Sequence, residues 1–263
     1  MPLIIPDDLS TRWTLEADGV FLLDQAGAVH QDCRPLRLLI LDPGANPDID
    51  RLLGLLSRNP LQIHPFLATF HGVAHSQSRL LPSRPWDLRW TDTFDAVIVA
   101  DRTDDGAPPQ HSVFWDELRD LIDWAAEHTR AGLYLGWAAA AALAHVHGVE
   151  TLAPGERLER AVAHRVVRRQ SYLLRGVEDQ FPIHVGWRRR LPRRLLVDTP
   201  ALELLAAADE TSEPYLLRTY DRRSVYALHQ PLRGAGALIL ANWLNFHLYQ
   251  ILSLPVRRIP EPR

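Results

Sequence analysis

Apolar positions in the first half of the chain fall into short runs separated by stretches of helical spacing. Leu36-Arg37-Leu38-Leu39-Ile40-Leu41 is mostly apolar and stops at Asp42-Pro43-Gly44, the pattern of a buried parallel strand closed by turn residues. Residues 47–58 then place Ile49, Leu52, Leu53, Leu55 and Leu56 at helical spacing. Leu61–Leu67 and Phe94–Ala100 read as the second and third strands. Phe114–His128 is an amphipathic helix with Leu118, Leu121, Ile122 and Ala125 on one face. Gly132–Leu143 reads as a buried strand, a sharp turn and a helix of small residues, ending at a C-cap at His147-Gly148. This alternation predicts an α/β fold, a doubly wound, mostly parallel sheet flanked by helices.

The remaining segments are less regular. Residues 1–34 read as an N-terminal arm, with Val20-Phe21-Leu22-Leu23 a short strand or packing segment, and residues 35–263 as one α/β domain. Residues 71–92, which hold Trp86 and Trp90, read as an irregular connection, and Asp101–Gln110 as a loop. In the second half, 161–167, 171–175, 215–219 and 224–228 read as strands, some antiparallel, with Asp221-Arg222-Arg223 as a hairpin turn. Gly236–Leu252 reads as a closing helix, rich in Leu and aromatic residues.

Length and composition change this picture little. A chain of 263 residues that is 46% hydrophobic can bury one sizeable core. A net charge of −3 calls for neither nucleic acid nor an anionic membrane surface. All of the fixed positive side-chain charge is Arg; with no Lys, Schiff-base chemistry through a lysine is excluded. The single cysteine, Cys33, excludes an internal disulfide and a cysteine metal cluster. No secretory pattern opens the sequence, and no run reaches the ~18 apolar residues of a membrane span. The expectation is a cytoplasmic protein.

The most specific chemical signal is at the strand–turn–helix segment. Such a bend is a nucleophile elbow, which lifts one side chain above the sheet at a helix N-terminus. The apex here is Gly136 in Leu135-Gly136-Trp137, so no side chain is present to attack.

Several segments, in order along the chain, carry a family resemblance. They are Met1–Leu9, Arg34–Leu41, Leu55–Gln62, Phe94-Asp95, Trp115, Trp124, the elbow, Leu174–Phe181 and Asn242–Gln250. Together the chain resembles the homoserine O-succinyltransferases, whose fold is like that of class I glutamine amidotransferases. The resemblance implies a methionine-biosynthesis acyltransferase in which an elbow Cys takes an acyl group from acyl-CoA and passes it to homoserine. A His and a Glu would support that step.

Carried onto this chain, the machinery is vacant. The Cys position is Gly136, and the family's Gln four residues later is Ala140. Anchored on Pro231, the family's His falls on Gln230 and its Glu on Leu232. His229 is one residue early and, on a continuing strand, would face away. Arg233–Gly236 alone bridges to the Asn242 helix where the family has a longer substrate-binding segment, and the loop around Asp104-Asp105-Gly106 also departs from the family. Pocket candidates are Gly136, Trp137, Ala140, Arg157, His184, His229 and Gln230.

Other clusters favour structural readings. Cys33 precedes the first strand and reads as structural. His145 and His147 are spaced two apart, and His71 and His75 fall in a loop, so no metal site is expected. The Arg-rich stretch 188–194, with Arg165, Arg168 and Arg169, reads as a solvated face rather than an anion site. Glu178-Asp179 reads as a turn acceptor.

The expectation is a catalytically silent homologue, a pseudoenzyme that binds a small ligand or a protein partner, with no cofactor and a homodimeric state. The alternative is direct, non-covalent transfer from acyl-CoA as co-substrate to an amino-acid hydroxyl. There the Gly136 and Trp137 N–H groups would form an oxyanion hole and His229 would be the base. A third reading is a structural subunit of an active acyltransferase, joined through the C-terminal helix.

Overall fold

The computed structural model describes the chain from Leu3 to Leu248 apart from residues 6–11, 18, 20, 25–26, 28–33, 45, 47, 58–61, 74–75, 77, 88–92, 103–106, 153–159, 186–189, 197–198 and 230–231. Residues 1–2 and 249–263 also lie outside that description.

Among the described residues twelve strands form one sheet. They are β1 (Leu3–Ile4), β2 (Leu22–Leu23), β3 (Leu36–Asp42), β4 (Ile63–Thr69), β5 (Ser83–Pro85), β6 (Ala96–Val99) and β7 (Ala131–Leu135), followed by β8 (Arg160–Val166), β9 (Gln180–Val185), β10 (Leu202–Ala208), β11 (Pro214–Thr219) and β12 (Ser224–Ala227). The order is β2-β1-β4-β3-β6-β7-β12-β11-β10-β8-β9, with β5 beside β4. From β2 to β12 neighbouring strands run parallel; from β12 onward each pair is antiparallel.

The helices are α1 (Arg12–Ala17), α2 (Ile49–Ser57), α3 (Trp115–His128), α4 (Trp137–His147) and α5 (Ala235–Asn242). The buried residues of α2 (Ile49, Leu52, Leu53, Leu56) and of α5 (Ile239, Leu240) share one core with Leu38, Ile40, Ile98 and Leu133. The buried residues of α3 and the alanines of α4 share a second with Leu39, Leu41, Val97, Val99 and Tyr134. Alternate residues of each central strand thus face opposite helix layers, which is why those strands are apolar along their whole length. The alanines 138–142 of α4 are all at most 1% exposed, so that helix lies close against the sheet. Gly148 closes it at φ 65°, donating its N–H to Ala144 O.

Several expectations need correction. Residues 171–175 do not form a strand; Tyr172–Leu174 is a 3-10 turn. Asn242 Nδ2 donates to the carbonyls of Leu173 and Arg175 (3.1 and 2.8 Å), satisfying groups that a strand partner would otherwise take. β9 and β10 are further strands, β9 with a strict exposed–buried alternation that the polar/apolar order of Gln180–Val185 encodes. The closing helix is α5 only to Asn242, then a π-helical stretch over Trp243–Leu248. That wider winding accompanies full burial of Trp243, Leu244 and Leu248 and a 2.7 Å bond from His247 Nε2 to Arg222 O. The irregular connection contributes β5, and the arm contributes β1 and β2 to the sheet edge beside β4. The Asp221–Arg223 turn is as expected, with Arg222 at φ 65° and Asp221 Oδ1 accepting from Thr219 Oγ1 and the Arg223 N–H.

Candidate functional site

β7 ends at Leu135 and α4 begins at Trp137, so Gly136 alone makes the bend, at φ 53° and ψ −119°. Side chains rarely adopt this conformation, and it is the strained geometry that an elbow requires. Gly136 N–H is bonded to Ala227 O at 2.7 Å, which ties the bend to the end of β12.

The space above Gly136 is filled from the neighbouring strand. β6 ends at Val99, and two residues on, Asp101 turns its carboxylate toward α4. Its Oδ1 accepts the Trp137 N–H at 2.7 Å and the Arg102 N–H at 2.9 Å. A Cβ built on Gly136 would fall inside the Asp101 carboxylate. The chain's own anion therefore occupies the helix N-terminus, where the dipole and the unbonded N–H groups favour negative charge. Asn46 Nδ2 fixes the Asp101 backbone by donating to its carbonyl at 2.9 Å. The Arg102 guanidinium lies over the Trp137 ring, 5.0 Å from its centre.

Outside this carboxylate opens a cleft of about 300 Å³. Gly136, Asp101, Leu228, His229 and Leu232 line it, with Ile183 and His184 from β9, Arg233, and Asp48 and Arg51 at α2. Two carboxylates and two guanidinium groups thus share the walls.

His229 is in this cleft, not turned away from it. β12 stops at Ala227, and Leu228 and His229 form a bend, so the strict alternation of a strand no longer applies. The His229 ring stacks on Tyr215 (6.1 Å, 8°) and meets the His164 ring at 6.2 Å. Burial first, then the neighbouring His164 and His184, push its pKa down to about 3. His164 is lowered too, mainly by burial, although its Nδ1 lies 2.9 Å from Val162 O. Both imidazoles are neutral at pH 7.

Of the residues singled out from sequence, Gly136, His184, His229 and Leu232 converge on the cleft. Trp137 and Ala140 lie in the core beneath it, 3% and 1% exposed. Arg157, Gln230, Pro231, Cys33, Asp104, Asp105, Gly106, Arg188 and Arg189 lie outside the described residues. Sequence reasoning missed Asp101, Asp48, Arg51 and Arg233. For Asp101 a signal existed: it is the first polar residue after the apolar run 96–100, at the carboxyl end of a central strand, where ligands of open α/β sheets bind. Among the described residues no group of three or more His, Cys, Asp or Glu side chains is placed to hold a metal.

The family model for homoserine O-succinyltransferase matches residues 2–231. The chain belongs to the homoserine O-succinyltransferase family. One family relative, homoserine O-succinyltransferase of Shewanella sediminis (strain HAW-EB3), is 27% identical over 302 aligned positions, covering 95% of this chain and 94% of the relative. That span exceeds the 263 residues of this chain, so the relative carries residues that this family member lacks.

Among solved structures, a protein described as part of a GMP synthase, from Thermoplasma acidophilum, superposes with a TM-score of 0.62 at 14% identity, covering 84% of this chain and 96% of that one. A glutamine amidotransferase from Thermotoga maritima superposes at 0.53 and 13% identity, covering 81% and 82%. These likenesses establish the fold: a mostly parallel mixed sheet flanked by helices, of the class I glutamine amidotransferase type. No helix among the described residues is long and apolar enough to cross a membrane.

Proposed function

We propose that this member of the homoserine O-succinyltransferase family acts by binding a small ligand or a protein partner rather than by covalent acyl transfer. One observation carries the reading: Asp101 seats its carboxylate on the Trp137 N–H, in the space that an elbow side chain would need. A thiol cannot be restored there without displacing that carboxylate, and an acyl oxyanion would meet a negative charge instead of a donor. Leu232, at the position where the family's Glu is expected, offers no carboxylate to orient an imidazole. An assay with homoserine and succinyl-CoA or acetyl-CoA, with mass spectrometry of the intact chain, tests the proposal. The expected result is no turnover above a denatured control and no acyl adduct; either one overturns it.

Direct transfer is the second reading, supported by the opening of His229 onto the cleft. Against it, both N–H groups nominated for the oxyanion hole are already bonded, Gly136 to Ala227 O and Trp137 to Asp101. An imidazole held near pKa 3 is also a weak base. If transfer is seen, His229→Ala separates the cases: an unchanged rate removes this mechanism. The same proposal takes the chain as a cytoplasmic homodimer of one α/β domain with an N-terminal arm. Light scattering that returns a monomer at every concentration would count against the dimer.

A further inference from the structure

A second pocket lies at the other end of β7, where ligands of the family fold are not expected. Gly136 follows the strand at the elbow cleft, and Gly132 lies four residues earlier, about 13 Å away at strand rise. Around Gly132 the amino-terminal ends of β7 and β12 meet the carboxyl ends of α3 and α4, enclosing about 360 Å³. That is within the size range of small-molecule sites.

Two stacked tyrosines make its floor. Tyr134 and Tyr226 are register partners on β7 and β12, with ring centres 5.5 Å apart at 17°. Gly132 permits this arrangement. A Cβ there would meet the Tyr134 ring and hydroxyl at 2.9–3.1 Å, so the Tyr134 side chain lies back along its own strand toward the pocket. The two hydroxyls differ. Tyr226 Oη is engaged by His147 Nε2 at 3.0 Å. Tyr134 is only 4% exposed as a residue, and its hydroxyl, with no side-chain partner among the described residues, is not sealed in the core but opens onto the pocket. A phenol whose ring is buried and whose hydroxyl opens onto a pocket is a donor and acceptor available to a ligand group or water.

Most of the rest of the lining is apolar or already paired, and the Tyr220 hydroxyl lies on the exposed rim. Ala125, Ala126, Ala131 and Ala201 are small, and Val146 and Tyr220 form a half-open rim, 51% and 61% exposed. Arg223 donates to the carbonyls of Ala126 and Thr129 at 2.6 Å each. Asp221 accepts from Thr219 and from the Arg223 N–H. Burial keeps His147 below its ordinary pKa, hence neutral at pH 7. The pocket therefore offers an aromatic floor, small apolar walls and the Tyr134 hydroxyl at their inner end, with its charges held by the protein.

We propose that this pocket binds a small uncharged aromatic molecule carrying one hydrogen-bonding group, which pairs with Tyr134 Oη while the ring packs against the tyrosine floor. The inference does not depend on the reading of the elbow cleft. Phenol and toluene are matched probes, alike in ring and size and differing in the hydroxyl. Titration of the full chain, followed by saturation-transfer NMR, should show phenol binding about tenfold more tightly than toluene, the effect of one net hydrogen bond. Tyr134→Phe should abolish that preference. Ala201→Trp, a change at an exposed position on the pocket wall, should abolish binding of both probes with the melting temperature unchanged. Absence of phenol binding, equal binding of the two probes, or phenol binding that survives Ala201→Trp would each overturn the proposal. If Tyr134→Phe does not fold, the matched probes and Ala201→Trp decide alone.

Discussion

The carboxylate of Asp101 fills the space that any side chain on Gly136 would need. The two residues follow the carboxyl ends of the adjacent parallel strands β6 and β7. Without a side chain on Gly136, the Asp101 carboxylate can sit at the start of α4. With that carboxylate in place, the bend keeps its φ of 53° with no side chain at its apex.

Gly136→Cys should therefore destabilise the protein and fail to create an acyltransferase. An L residue at φ 53° carries strain, and its Cβ collides with Asp101. Together these cost about 2–4 kcal/mol. Urea unfolding measures this, and Gly136→Cys combined with Asp101→Gly should regain part of the loss. A single variant as stable as the wild type would mean that Asp101 is not above the elbow.

Asp101→Ala should cost about 1 kcal/mol, because the Trp137 N–H loses a charged acceptor at a helix N-terminus. Asp101→Asn keeps an acceptor and loses the charge, so it should fall between the two. Urea midpoints of the three proteins at one pH provide the test, and an Asp101→Ala midpoint equal to wild type would contradict it.

Stability should fall as pH drops from about 6.5 toward 4. His229 is held near pKa 3 and His247 near 4, both mainly by burial, and His164 and His147 are shifted the same way. Below the unfolded pKa the unfolded chain binds protons that the native chain refuses, so acid favours unfolding; above it the effect vanishes. Each such group adds at most about 1.4 kcal/mol per pH unit. His229→Gln should flatten the dependence of the urea midpoint between pH 7 and 4, and an identical slope would remove His229 from the account.

Arg218 and Glu203 face each other across β10 and β11 and form a short ion pair, with Arg218 only 8% exposed. Arg218→Met should cost about 3–5 kcal/mol, since it strands a carboxylate beside the core. Arg168 is 3.6 Å from Glu203 and offsets part of this. Replacing both, as Arg218→Met with Glu203→Leu, should be much milder. A thermal-unfolding double-mutant cycle reads the difference, and additive losses would argue against coupling.

Much of the architecture was legible in the order of residues. The apolar runs at 36–41 and 94–100 became β3 and β6, and the spacing of Leu118, Leu121 and Ile122 became the buried face of α3. The elbow and its glycine apex were readable because a buried strand, one glycine and a run of alanines are contiguous. Residues 171–175 misled because Leu173 and Leu174 are buried by α5 and Asn242, a partner sixty-nine residues from Leu173. His229, named among the pocket candidates, lines the cleft, but its orientation was read as facing away because alternation was carried past the end of β12.

Burial periodicity belongs to neighbours along the chain, so the amino-acid order by itself determined the parallel layers, the bend at Gly136 and the absence of a side chain there. What fills that gap depends on contacts between segments far apart in sequence. Trp137 and Asp101 are thirty-six residues apart, and only the pairing of β6 with β7 brings the carboxylate to the helix N-terminus. The same holds for the unspent hydroxyl of Tyr134. Its place on a pocket wall is set by which strands and helices surround it, and no local pattern carries that information.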